Sequence, residues 1–210
     1  MNDHNSVPGT SSDRRRPAPP QPVDSKRALG GRRRGPDFAR RLASVRALTG
    51  YTADDEALVR ATREILLPHA RAIADALYQH LISHPETAVY FTLPDGGPDR
   101  PHLDARVHSL TSWLQAIIEG PLDERATAYA ATIGLAHAQR GASPVRRVKG
   151  RYMVATMSFV MAALTALLDD AIDERDVLIA TIAAWCKLLA IHLDLFLTVY
   201  GTAAANPHWY

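Results

Sequence analysis

The chain has 210 residues, a net charge of +2, 47% hydrophobic residues and only 7% aromatic ones. That length suits one substantial domain with room for a loose end, and an Ala/Leu-rich, aromatic-poor composition favours helix over sheet. The single cysteine, Cys186, excludes an intramolecular disulfide and any cysteine-based metal cluster, and makes a reducing, cytoplasmic setting the default expectation.

Residues 1–36 read as a tail. Pro8, Pro17, Pro19, Pro20, Pro22 and Pro36 interrupt any helix, and "DRRRP" and "GGRRRG" cluster its charge. Eight Lys/Arg stand here against three Asp/Glu, a local +5 within a total of +2, so the rest of the chain is close to −3. The segment has no apolar stretch of the kind a secretory signal needs. It is expected to be a solvated, disordered arm; contact with nucleic acid, anionic lipid or an acidic partner is the alternative.

From Pro36 onward the pattern is helical. "DFARRLASVRAL" places Phe38, Leu42, Val45 and Leu48 at three- and four-residue spacing. The next helix starts at Thr52, an N-cap followed by Asp54, Asp55 and Glu56 in the first turn, where carboxylates suit the helix dipole. Pro68 breaks or kinks the chain before a stripe of Ile73, Leu77 and Leu81. "PETAVYF" (85–91) is a tight turn, and "TLPDGGPDRP" (92–101) is a loop by its Gly/Pro content.

A helix over 102–118 carries Val107, Leu110, Leu114 and Ile117 on one face, and Gly120 and Pro121 close it. Another runs from about Asp123 to Arg140, capped by Gly141, with Ser143 and Pro144 opening the next. Two long apolar helices, 145–169 and 173–200, complete a set of seven or eight. Both approach the length of a membrane span. Thr156, Ser158 and Thr165 in the first, and Lys187, His192 and Asp194 in the second, favour buried helices and no transmembrane segment.

Phosphate-binding loops, HExxH and G-x-S-x-G elbows are missing from the sequence, so nothing points to hydrolytic or phosphoryl-transfer chemistry. Histidine remains. His4 and His208 lie in the tails, and His69, His80, His84 and His102 lie near helix ends or on polar faces. His108, His137 and His192 sit in apolar helical surroundings, where a histidine is either a satisfied core residue or a ligand to a metal or cofactor. Two neighbours set His137 apart. Gly134 has no side chain to hold off a flat ligand, and the Ile133 carbonyl, four residues earlier, can orient the imidazole through its other nitrogen.

"YTADDEALVRATREILLPHARAIADALYQHLISHPETAVYF", "SWLQAIIEG", "IGLAHAQRGASP" and "CKLLAIHLDLFLTVY" together resemble, in the same order, the globin-coupled sensors and protoglobins, the sensor-globin branch of the haem globins. The resemblance spans about residues 38–200. Its sharpest motifs are Ile133, Gly134, His137 and Gly141, then Tyr78, His80 and Leu81 with Pro85, Glu86 and Thr87. It implies an all-α globin fold with an extra N-terminal helix, as a domain over 37–203 followed by a short tail, 204–210. It also implies haem b held by His137 as the iron ligand, with Tyr78 as distal hydrogen-bond donor.

A porphyrin needs an apolar slot. Tyr90, Phe91, Val107, Leu110, Trp113, Leu114, Ile117, Met153 and Met157 are the candidate walls, each equally readable as ordinary core. His108, on the helix expected to cross the distal side, is a candidate to face the iron or a propionate. The sequence departs from the family pattern at "VRRVKGRY", with Arg146 and Arg147 where many relatives carry aromatic residues, and in the long loop 92–101.

The resemblance further implies reversible binding of oxygen, carbon monoxide and nitric oxide, and a homodimer through the two C-terminal helices. With only ten residues beyond Tyr200, a stand-alone gas sensor or carrier is expected, any signal leaving through an unknown partner, the dimer or iron chemistry. Two alternatives are open: haem-dependent removal of nitric oxide or peroxide with an external reductase, and a haem-free interaction module.

Overall fold

The computed structural model describes residues 38–138 and 148–202. The basic tail, the capping Gly141, Ser143, Pro144, Arg146, Arg147 and the C-terminal tail lie outside them. The described elements are α1 (Phe38–Thr49), α2 (Ala53–Ala61), the single turn α3 (Arg63–Leu66), a 3-10 turn (Leu67–His69), α4 (Ala70–Ser83), the single turn α5 (Pro85–Ala88), α6 (Arg100–Glu119), α7 (Glu124–Ala138), α8 (Gly150–Ala171) and α9 (Arg175–Thr202). Among the described residues there is no strand, only an isolated bridge between Thr92 and Pro98 in the loop before α6. The fold is all-α, as the composition and periodicity predict.

Local chemistry sets the breaks. Gly50, with φ of 63°, takes the left-handed conformation that ends α1. Thr52 caps α2 reciprocally: its hydroxyl accepts from the Asp55 N–H at 3.2 Å, and the Asp55 carboxylate accepts from the Thr52 N–H at 2.8 Å. Pro68, which has no N–H to donate, sits in the 3-10 turn between α3 and α4. Two expectations shift. Leu48 is 84% exposed, so α1 turns Leu42 rather than its whole apolar stripe inward. The helix expected from 145 begins at Gly150, because Val148 and Lys149 are not helical.

The C-terminal helix α9 is the hub, packing against α1, α2, α7 and α8. Trp185 is fully buried on it, and the indole N–H donates to the Thr62 hydroxyl at 3.2 Å, which in turn donates to the Val59 carbonyl at 2.7 Å. Leu66, Leu114, Ile118, Leu164, Leu168, Ile191 and Leu195 complete the sealed core. α8 and α9 are long and apolar enough to span a membrane by length and composition alone, but each has a buried stripe in this core. In the two C-terminal helices expected to form a dimer, α8 and α9, Met153, Val160, Leu164, Leu168, Trp185 and Phe196 are buried within the single chain.

Lys187 of α9 reaches the start of α2, donating to both Asp55 carboxylate oxygens at 2.9 and 3.0 Å and to the Gly50 carbonyl at 3.2 Å. Burial alone would raise the Asp55 pKa, but Lys187 and the Thr52 donors outweigh it and hold the carboxyl below its ordinary value. A depressed carboxylate stabilises the fold above the unfolded-state pKa, and that contribution is lost as pH falls through the folded one. Asp55→Asn should therefore lower stability by about 1–3 kcal/mol near neutral pH. Chemical denaturation should show the gap from wild type narrowing below about pH 4.

Candidate functional site

Two opposite faces of α7 position the site. Thr127, Ala130, Ala131 and Gly134 recur at helical spacing and are all buried, and α7 packs chiefly on α9 and secondarily on α1. Small residues on that face permit close approach of the backbones. Two positions further along the chain, roughly 200° around the helix, Tyr129, Thr132, Ile133, Ala136 and His137 line a cavity of about 280 Å³. Opposing walls come from Leu77, Tyr78 and Leu81 of α4 and from His102, Arg106, Ser109, Leu110 and Trp113 of α6. These two helices pack on each other and not principally on α7, so the cavity opens between them. Thr87, Tyr90 and Phe91 from α5 and the loop after it, Val148 just before α8, Tyr152, Met153, Thr156 and Met157 of α8, and Phe196 of α9 complete the lining.

Within this wall, His137 is tied by its own helix. The Ile133 carbonyl lies 2.8 Å from Nδ1; a carbonyl only accepts, so Nδ1 carries the proton and Nε2 keeps its lone pair. Burial pushes the His137 pKa down, and the charge of Arg106 and the nearby His102 act the same way against the opposing Ile133 hydrogen bond. A neutral imidazole with a free Nε2 is the form that binds a metal.

Tyr78 is buried with its ring edge-on to Phe91, centroids 5.5 Å apart at 87°. Burial raises its pKa to about 12, against the opposing charge of Arg106. The phenol therefore stays protonated and is able to donate. At the mouth, the Tyr152 hydroxyl donates to Glu86 Oε2 at 3.0 Å, where Arg151 also donates at 2.9 Å, and Tyr90 packs edge-on against the Tyr152 ring.

Of the residues singled out in the sequence, His137, Tyr78, Phe91, Leu110, Trp113 and Met153 line the cavity, with Tyr90 and Met157. Val107 and Leu114 do not. Val107 packs with Ala74 and Tyr78 behind the wall, and Leu114 belongs to the main core, because each lies one position off the stripe 102, 106, 109, 110, 113 that faces the cavity. Ile117 lines a separate small cavity. His108 is exposed, on the side of α6 opposite Arg106 and Leu110. Gly134 falls on the buried helix-packing face of α7 rather than in the cavity wall.

Sequence reasoning missed Arg106, His102, Tyr129, Tyr152 and Phe196. For Arg106 and His102 the available signal was their phase, four and eight residues before Leu110.

His192 is neither solvated nor in the cavity wall. The Trp113 indole N–H donates to its Nδ1 at 3.4 Å, and its ring lies edge-on to Trp113 with centroids 5.7 Å apart. It thereby backs two lining residues, Trp113 and Phe196.

An all-helical chain whose helices wall an apolar cavity around one oriented, neutral histidine has the architecture of a globin. A family profile described as Protoglobin matches residues 38–206, and the chain belongs to the protoglobin family. Among solved structures, the globin domain of the Geobacter sulfurreducens globin-coupled sensor is similar with a TM-score of 0.61 and 21% identity. The match covers 75% of this chain and 96% of that one, a likeness of fold. No curated protein sequence matches the chain.

Burial pushes the His192 pKa down to about 4. The unfolded chain takes up this proton near pH 6.5 and the folded chain only near 4, so stability falls as pH drops through that window. The loss is on the order of 3 kcal/mol at about 1.4 kcal/mol per pH unit. His192→Asn keeps an acceptor for Trp113 and does not titrate. Urea unfolding at about pH 7 and about pH 4.5 should show a smaller acid loss in the variant than in wild type.

Proposed function

We propose that this protoglobin is a cytoplasmic haem b protein that reversibly binds oxygen, carbon monoxide and nitric oxide, acting as a gas sensor or carrier rather than an enzyme. The observation that carries the reading is His137: a buried, neutral imidazole in the cavity wall, with Nδ1 held by the Ile133 carbonyl and Nε2 left as a base. Globins typically bind haem, and the residues present fit it. Leu110, Trp113, Met153 and Phe196 offer an apolar slot, and Arg106 holds a buried, unpartnered Nε beside it, complementary to an acidic ligand.

Haem, when bound, supplies an iron with a coordination position open to a diatomic gas. The chain's own contributions are distinct. His137 would hold the iron, with the Ile133 carbonyl fixing its tautomer and orientation. Tyr78, its proton retained by burial, would be the donor to a gas bound there. Leu77, Leu110 and Phe91 limit water around both.

The outer side of α8 and α9 supports a homodimer. Val154, Met161, Ala162, Ala166, Leu189 and Leu193 line an open apolar groove there. In sedimentation velocity the chain is expected to run as a dimer, and Ala162→Arg as a monomer.

Absorption spectra of the haem-loaded protein test the main reading. Stoichiometric uptake, with a histidine-ligated ferrous spectrum that shifts under carbon monoxide, is expected; His137→Ala should lose that signature. Failure of wild type to take up haem would overturn the reading. Tyr78→Phe should speed oxygen dissociation by about tenfold to a hundredfold, the equivalent of one hydrogen bond of about 1.5–3 kcal/mol, in stopped-flow displacement by carbon monoxide.

A further inference from the structure

We propose that Arg106 is the seat of an anionic group inside the cavity, taken first as a carboxylate on the edge of the bound porphyrin. The inference rests on the haem reading above and adds the polar half of the site.

Arg106 stands one turn of α6 before Leu110 and one turn after His102, and all three line the cavity. Its Nε is buried with no hydrogen-bond partner, the one such side-chain atom among the described residues. None of the ion pairs among those residues involves it: Arg41, Arg46, Arg60, Arg63, Arg71, Arg151 and Lys187 each have an acidic partner. A guanidinium cannot shed its proton to escape this cost. It therefore remains a cation whose buried Nε–H is unmet, beside a largely apolar cavity.

A planar fork of N–H donors matches a carboxylate in two parallel bonds, which is the strongest contact a neutral-pH site offers to an acid. The direction of the α6 stripe selects the ligand's orientation. Its beginning is polar, at His102 and Arg106, and its end is apolar, at Leu110 and Trp113. A flat amphipathic ligand with acidic groups on one edge places that edge at Arg106 and its hydrocarbon edge towards Trp113. An anion entering at the iron shares the same chemistry, and the two sources separate by experiment.

The test uses the full chain and two metal-free probes, protoporphyrin IX and its dimethyl ester, titrated by fluorescence, so that the bond from His137 to iron plays no part. Wild type is expected to prefer the free diacid by about tenfold or more, as a charge-assisted hydrogen bond implies. Arg106→Gln should lose that preference while keeping its helical circular dichroism, and Arg106→Lys should retain part of it. In parallel, azide affinity is measured for the ferric haem-loaded wild type and Arg106→Gln.

Loss of the diacid preference with azide unchanged assigns the carboxylate. A drop in azide affinity of about tenfold with the preference intact moves the seat to an anion at the iron and overturns the carboxylate assignment. A wild type that binds both porphyrins equally, together with azide binding that ignores Arg106, overturns the proposal altogether, and needs no folded variant for its first half. Uptake of haem with no dependence on Arg106 sinks this inference alone; no uptake of haem sinks the functional reading beneath it.

Discussion

The close seating of α7 on α9 governs the rest of the molecule. A helix can offer a polar side chain to a cavity only if its other face is held firmly. Here Thr127, Ala130, Ala131 and Gly134 provide that hold by being small. Bulk on that face would push α7 outward and carry His137 with it. Because α9 also anchors α1, α2 and α8, the helix that places the histidine and the helices that build the opposite core share one reference frame. Lys187 and Trp185 tie the same helix to the start of α2 and to Thr62, so the hub is fastened at two further points.

Electrostatically, the interior is arranged to keep bases neutral and one cation unsatisfied. His137 and His192 are both pushed towards the neutral form by burial, yet their neighbours give them different work. His192 accepts from Trp113 and stiffens the wall; His137 points its protonated nitrogen at its own helix and leaves the other as a base. Arg106 acts on the same space in the same sense as burial, lowering the pKa of both His102 and His137 by its charge. A single guanidinium thus reinforces the neutrality of the histidines around it while itself calling for an anion.

Much of this was legible from residue order. The i, i+4 relation of Ile133 and His137 carried the tautomer argument, because it depends only on helix geometry, and the capping box at Thr52 is equally local. Periodicity also found the inward side of α6. It failed one position at a time: Val107 and Leu114 share the buried side with Leu110 and Trp113 but meet other helices, and nothing in the spacing says which neighbour a buried residue will meet. Gly134 was misread for the same reason. It lies among the buried small residues of α7, a helix that packs on the distant α9. Arg106 and His102 were passed over because charged and polar residues are assigned to solvent by default, a rule that breaks where a helix borders a cavity.

Protein interiors reach their density by contact on every side, and the atoms lining the 280 Å³ cavity lack neighbours on one side until something fills it. Whatever binds only the folded chain adds its binding free energy to folding. Small differences in stability change how much of a protein survives cellular proteolysis, so such binding would bear on lifetime as well as on chemistry. Through the space between α4, α6 and α7, the fold would link the abundance of the chain to the supply of any ligand that fits there.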